Sequence, residues 1–138
     1  MHTFHKSERL KSRKTISLLF QKGRTIRKYP LRIRWVCIEN EVNQAVQSTF
    51  SIPKRLVPKA VNRNRIKRII REAYRLNKHN LYDALENNKL QYALIFIYQD
   101  RVIPNYHEIA LLMQQTIPEI AKALNQYQPS KSANRVKK

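Results

Sequence analysis

Between Lys59 and Arg75 the chain reads Lys-Ala-Val-Asn-Arg-Asn-Arg-Ile-Lys-Arg-Ile-Ile-Arg-Glu-Ala-Tyr-Arg, a stretch dense in groups that recognise charge. Ile66, Ile69, Ile70, Ala73 and Leu76 recur at helical spacing while Lys67, Arg71, Arg75 and Lys78 fall on another face, which predicts an amphipathic cationic helix over residues 62–78. A helix N-terminus is already electropositive, so Arg63, Arg65, Lys67 and Arg68 in its first turns oppose the macrodipole by roughly a few tenths of a kcal/mol each. The arrangement becomes favourable when an anion docks, because backbone N–H groups, the dipole and guanidinium forks then converge on phosphate oxygens. The competing reading is a solvated basic face. Glu72 is expected to be an internal partner of Arg68 or Arg75 at helical spacing.

Other residue types that could do chemistry do not assemble into a site. His2, His5, His79 and His107 lack metal-ligand spacing and a carboxylate pattern, and are expected to be structural or solvated. Glu39 and Glu41 share a face near a turn and are expected to solubilise a loop. With one glycine, Gly23, a phosphate-cradling glycine loop is excluded. Cys37 is the only cysteine, lies in an apolar stretch and reads as a small buried hydrophobe. The expected catalytic set and the expected set of metal ligands are both empty.

The whole chain has 138 residues, 42% of them hydrophobic, which fits one domain with one core. Its net charge of +19 exceeds what solubility requires, and self-repulsion on that scale favours a polyanionic partner. Residues 1–34 hold eleven Lys/Arg against Glu8, residues 53–78 hold ten against Glu72, and residues 35–52 hold none. Two basic blocks therefore flank an apolar middle, and on one side of a sheet they would make a continuous footprint. The N-terminal stretch lacks a signal-peptide core, no segment reaches membrane-spanning length, and a cytoplasmic location without membrane association is expected.

The elements that must position these groups follow from periodicity. Residues 13–22 predict a short helix, with Ile16, Leu19 and Phe20 at helical spacing and Gly23 as its C-terminal cap. Residues 31–38 alternate as a strand, with Leu31, Ile33, Trp35 and Cys37 on the core side and Arg32, Arg34 and Val36 opposite. A one-residue shift of register would instead turn Trp35 away from the core. Residues 46–52 predict a second strand, Phe50 and Ile52 on one side and Thr49 and Ser51 on the other, closed by Pro53. Residues 92–98 are an uninterrupted apolar run suited to a central strand buried on both faces. A last helix is expected from Ile109 to Leu124, kinked or split by Pro118. Residues 1–125 would form the domain and residues 126–138 a basic, disordered tail. Helix, strand, strand, helix, strand, helix indicates an α+β domain with a mixed sheet.

The groups Lys59-Ala60-Val61, Arg63-Asn64-Arg65, Lys67-Arg68 and Arg71-Glu72 resemble the signature of the bacterial ribonuclease P protein subunit. Glu8-Arg9-Leu10-Lys11, Phe20, Gly23 and the pair Lys54-Arg55 agree with that pattern, from about residue 4 to residue 124. The resemblance implies an αβββαβα fold with a left-handed βαβ crossover, ribosomal protein S5 domain 2-like. It also implies an RNA-binding surface of Lys54, Arg55, Lys59, Arg63, Asn64, Arg65, Lys67, Arg68, Arg71 and Arg75. A cleft for the 5′ leader of precursor tRNA would hold Phe20, Arg32, Arg34, Thr49 and Ser51, an aromatic face at Phe20 stacking on an unpaired base. Ile16 stands where many members carry a second aromatic.

The implied partners are the ribonuclease P RNA and precursor tRNA, with no obligatory protein partner. In this family the RNA performs the hydrolysis with magnesium ions, so the implied role is the non-catalytic subunit of an endoribonuclease, the protein itself binding no cofactor. Two other readings share the charge pattern. One is a structural RNA-binding protein of the ribosomal kind, and the other a protein-only nuclease, for which the acidic residues are sparse.

Overall fold

A computed structural model describes residues 3–38 and 44–129. After a single 3-10 turn at Lys6–Glu8, the chain forms α1 (Arg13–Lys22), β1 (Arg24–Lys28), β2 (Leu31–Ile38), β3 (Val46–Ser51), α2 (Ala60–Ala84), β4 (Gln91–Tyr98) and α3 (Tyr106–Gln126). The four strands make one mixed sheet in the order β1-β2-β4-β3. β1 and β2 form an antiparallel hairpin, β2 runs antiparallel to β4, and β3 is parallel to β4, joined to it through α2. This is the expected α+β domain.

β4, with its apolar run Tyr-Ala-Leu-Ile-Phe-Ile-Tyr, is buried on both sides, as a strand without polar alternation must be. One face of the sheet carries Leu31, Ile33, Trp35, Val46, Phe50, Tyr92, Leu94, Phe96 and Tyr98 against α2 and α3. Phe50 stacks on Phe96 at 5.5 Å between ring centroids, and Tyr74 of α2 lies 5.2 Å from Phe96. The Ser48 hydroxyl hydrogen-bonds to the buried Tyr74 hydroxyl at 3.0 Å, which satisfies both polar groups inside an apolar layer. On the opposite face, α1 covers a smaller cluster of Leu10, Leu19, Ala93, Ile95 and Ile97, with Ile16, Val36 and Ile38 packed at its edge.

The predicted helix over 13–22 and strand over 31–38 have the expected bounds. Trp35 is 3% exposed and packs edge-on against Tyr92 and Tyr127, so its register is the core one. β1 was not marked by periodicity, because Arg-Thr-Ile-Arg-Lys has one apolar residue and gains its stability from pairing with β2. α2 is longer than the expected 62–78: Asn77 turns inward to donate to Ala73 O at 2.8 Å, and Leu81 and Leu85 continue the apolar stripe. α3 runs unbroken through Pro118, which is exposed, so the missing N–H lies on the solvent side. Tyr127 follows on Trp35, and the described chain therefore stays packed beyond residue 125. Glu39, Glu41 and residues 130–138 lie outside the described residues.

Gly23 ends α1 by a route other than the left-handed cap that glycine usually supplies. Its φ of −66° and ψ of 146° are open to any residue. Its N–H donates to Leu19 O at 2.9 Å, and a Cβ at this position would meet that oxygen at 2.3 Å. Close approach, rather than a special dihedral, requires glycine here.

Lys78, expected on the cationic face of α2, is instead buried. Its ammonium pairs with Glu8 and donates to Thr3 O. Glu8 also accepts from the Tyr82 hydroxyl at 2.5 Å and from the His5 N–H at 2.9 Å. Burial pushes the Glu8 carboxyl up, but the hydrogen bonds from Lys78, Tyr82 and His5 outweigh it and hold the group below the usual glutamate range. The sequence spacing between Glu8 and Lys78 hides the pair, which ties the N-terminal segment to the middle of α2.

Two expectations follow for stability. With Glu8 depressed, the pair contributes fully at pH values above the ordinary glutamate range, and the contribution is lost as pH falls through the lowered folded value. Removing one partner leaves a buried charge, so Lys78→Met is expected to cost about 3–5 kcal/mol in urea denaturation at neutral pH. Glu8→Gln should flatten the acid limb of the stability curve, and an unchanged limb would show that Glu8 does not drive it. Gly23→Ala is expected to lower stability by about 1–2 kcal/mol through the clash with Leu19 O, whereas a gain in Tm would mean that the backbone relaxes freely there.

Candidate nucleic-acid interface

β3 ends at Ser51, and the chain turns through Pro53, whose carbonyl accepts from the Leu56 and Val57 N–H groups at 3.1 and 3.0 Å. Val57 is buried and anchors the turn, and α2 starts three residues later. The start of α2 therefore lies at the same end of the sheet as the C-terminal ends of β3 and β4. Lys54, Arg55 and Lys59, all exposed, line this connection.

The N-terminus of α2 has no side-chain cap and no acid in its first turn. Capping by Ser, Thr, Asp or Asn is worth about 1 kcal/mol, and the first N–H groups of α2 receive none of it from the Lys59 side chain. Asn64, Arg65, Lys67, Arg68 and Arg71 are exposed, and Asn64, Arg68 and Arg71 share one helical stripe with Lys67 beside it. Two of the candidate cations are engaged within the protein. Arg63 Nη1 donates to Val57 O at 3.1 Å and Pro58 O at 2.7 Å, bracing the turn that leads into the helix. Arg75 grips Glu72 through Nε at 3.1 Å and Nη2 at 2.5 Å, as the helical spacing suggested. Those hydrogen bonds hold Glu72 below the usual carboxylate range. Seen from the surface, the stripe is cationic as far as Arg71 and nearly neutral beyond it.

The second group of candidates lies on the sheet face that carries α1. Cross-strand pairing sets Arg27 opposite Arg32, Arg32 opposite Ile97 and Ile97 opposite Ser51, so these four form one row across the sheet. The adjacent row is Thr25, Arg34, Ile95 and Thr49. α1 has ten residues, against twenty-five in α2, and its buried Leu19 covers Ala93, Ile95 and Ile97. Arg32, Thr49 and Ser51 remain half-buried, and Phe20, at the last turn of α1, is 49% exposed. The sheet face beside the end of α1 therefore presents the Arg32 row, with the exposed Phe20 on the last turn of the helix, and this is the candidate groove.

Arg32 and Arg34 differ in this groove, although both come from the same alternation. Arg32 Nε is buried and has no hydrogen-bond partner among the described residues. Arg34 is engaged through all three nitrogens: Nε donates to Leu19 O at 2.9 Å, Nη2 to Gly23 O at 3.0 Å and to Phe20 O at 3.3 Å, and Nη1 to Thr25 Oγ1 at 3.0 Å. Its fork faces the end of α1, and four of its five N–H donors are used within the protein. Arg27, exposed and beside Arg32, joins the groove in its place. It was missed because the signal for it is the hairpin register, and β1 carries no periodicity of its own.

Comparisons with known proteins bear on the family and the fold. Residues 4–120 match the family model described as Ribonuclease P. A ribonuclease P protein component from Porphyromonas gingivalis is 37% identical over 117 residues, covering 84% of this chain and 85% of the relative. Another from Chlorobium phaeobacteroides is 31% identical over 127 residues, covering 82% and 87%. The fold is that of the Staphylococcus aureus RNase P protein, with a TM-score of 0.62 at 24% identity over 86% of this chain and 98% of that one. The Thermotoga maritima RNase P protein is similar at a TM-score of 0.54 and 18% identity, covering 88% and 98%. With its mixed four-stranded sheet, its Arg63-Asn64-Arg65 helix and relatives that span nearly its whole described length, the chain belongs to the ribonuclease P protein component family.

Proposed function

We propose that this chain is the RNA-positioning subunit of a cytoplasmic ribonuclease P, binding the RNA subunit through α2 and the 5′ leader of precursor tRNA in the groove beside α1. The observation that carries the reading is the common end shared by the two surfaces. The exposed stripe that begins with Asn64, Arg65, Lys67, Arg68 and Arg71 starts there because the connection from β3 to α2 is short, and strand pairing sets the row of Arg27, Arg32 and Ser51 at the same end. One surface meets structured RNA through phosphates, and the other takes a single strand whose bases stack on Phe20.

On this reading the protein supplies no reacting group. Phosphate repulsion between two RNAs is offset by the α2 cations, and the leader is held so that the scissile bond reaches magnesium ions carried by the RNA. Glu72 is held by Arg75, Glu8 by Lys78 and Glu119 by Lys28, and among the described residues no three of His, Cys, Asp and Glu stand together where a metal ion could be held. A protein-only nuclease would need such carboxylates unpaired around a metal.

Adding the purified protein to a bacterial ribonuclease P RNA is expected to lower the magnesium needed for leader removal, and no change in that requirement would refute the reading. Arg65→Ala and Arg68→Ala should each weaken RNA binding by about 1–3 kcal/mol and reduce the slope of log K against log salt by about one. Arg75→Ala, whose guanidinium is paired, should reduce that slope by less than half as much. Co-sedimentation with ribosomal subunits and no effect on leader removal would favour the ribosomal alternative.

A further inference from the structure

α1 is too short to hold its own place. An isolated helix of its length is marginal in water, and its apolar contact with the sheet rests on Leu19, which is fully buried, with Ile16 at the edge. The last carbonyls of a helix have no partners within it. In this chain the Gly23 N–H serves Leu19 O, and one side chain from the strand beneath adds to it: the Arg34 fork reaches Leu19 O and Phe20 O in the last turn, and Gly23 O and Thr25 Oγ1 just past it, at 2.9–3.3 Å. Its positive charge also complements the negative end of the helix dipole. Phe20 lies between the bonded carbonyls of Leu19 and Gly23, so the hydrogen bonds that fix the last turn of α1 also fix the backbone that carries the exposed Phe20 ring.

We propose that Arg34 is a positioning residue that clamps the C-terminal turn of α1 to β2 and thereby holds Phe20 at the wall of the groove, so that the grip on a single-stranded 5′ extension depends on a guanidinium that never touches it. The proposal rests on the assignment of that groove to the leader. Its physical content is the fork. Four acceptors spread over residues 19–25 suit a planar guanidinium, and a lysine ammonium keeps the charge without matching them.

The test uses Arg34→Lys and Arg34→Gln in the full chain, reconstituted with a bacterial ribonuclease P RNA. Each is assayed on one precursor tRNA carrying a leader of about five nucleotides and on the same tRNA with about one. Both variants are expected to lose most of the preference for the longer leader, about five- to tenfold in kcat/KM and chiefly through KM, with the short-leader substrate within about twofold of the wild type. In a Phe20→Ala background, Arg34→Lys should change the preference by less than about twofold, since the two act through one wall. Without RNA, amide exchange of residues 20–25 should rise about tenfold in Arg34→Lys while α2 exchanges as before. Lysine restoring the full leader preference would overturn the proposal, because charge would then suffice. So would an equal fall on both substrates, which would make Arg34 a general RNA contact or a fold determinant. A wild-type protein indifferent to leader length sinks the groove assignment, and faster exchange at residues 20–25 in Arg34→Lys would locate that failure in the groove and not in the clamp.

Discussion

β4 imposes the constraint from which the architecture follows. A strand apolar on both faces has to be covered on both, and this chain covers the two sides unequally. α2 and α3, with twenty-five and twenty-one residues, seal one face with a layer of interlocking aromatics. The other face receives the ten residues of α1 and the side chain of Leu10. Half a sheet face under a short helix leaves strand residues incompletely covered, and these are what the strands alternate with their core residues: Arg32 from β2, Ser51 and Thr49 from β3, Arg27 from β1. The candidate groove follows from asymmetric covering, and its chemistry is set by the residues opposite the core.

The same fold sorts a large positive charge into groups with different work. In a chain of net charge +19, counting cations overstates the interface. Lys78 is buried with Glu8, Arg75 is neutralised by Glu72, Lys28 pairs with Glu119, and Arg34 caps a helix. Arg24 lies over the Trp35 and Tyr127 rings at 5.6 and 5.1 Å, closing the edge of the core by cation–π contact. Lys11, Arg13, Lys14, Lys89 and Lys122 are exposed elsewhere, while Lys54, Arg55, Lys59, Arg65, Lys67, Arg68 and Arg71 are exposed within one short stretch that follows β3. Charge clustered in this way attracts a polyanion more strongly than the same charge dispersed.

Both surfaces depend on braces that a contact map of the interface would leave out. Arg63 ties the start of α2 to the carbonyls of Val57 and Pro58, so the Arg-Asn-Arg segment begins on a fixed turn. Gly23 lets the chain leave α1 close enough to Leu19 O for its N–H to bond there, and Arg34 adds its fork to the same carbonyl. A binding residue is useful only when its backbone is held, and here the holding groups are themselves arginines of the basic blocks.

The sequence by itself determined the helices and strands with strong periodicity, the two faces of β2, the burial of β4 and the cationic stripe of α2, because each is encoded within one segment at a period of two or 3.6 residues. Its resemblance to a family pattern also marked the start of α2 as the candidate RNA-facing surface. Tertiary structure alone decided the rest: β1, which is a strand only because β2 pairs with it; the pairing of Glu8 with Lys78 across 70 residues of the chain; the core register of Trp35 against Tyr127; and the opposite fates of Arg32 and Arg34. Those two arginines are two residues apart on one strand and indistinguishable by alternation. The end of α1 lies over one and not the other, and only packing between elements distant in sequence can set that difference.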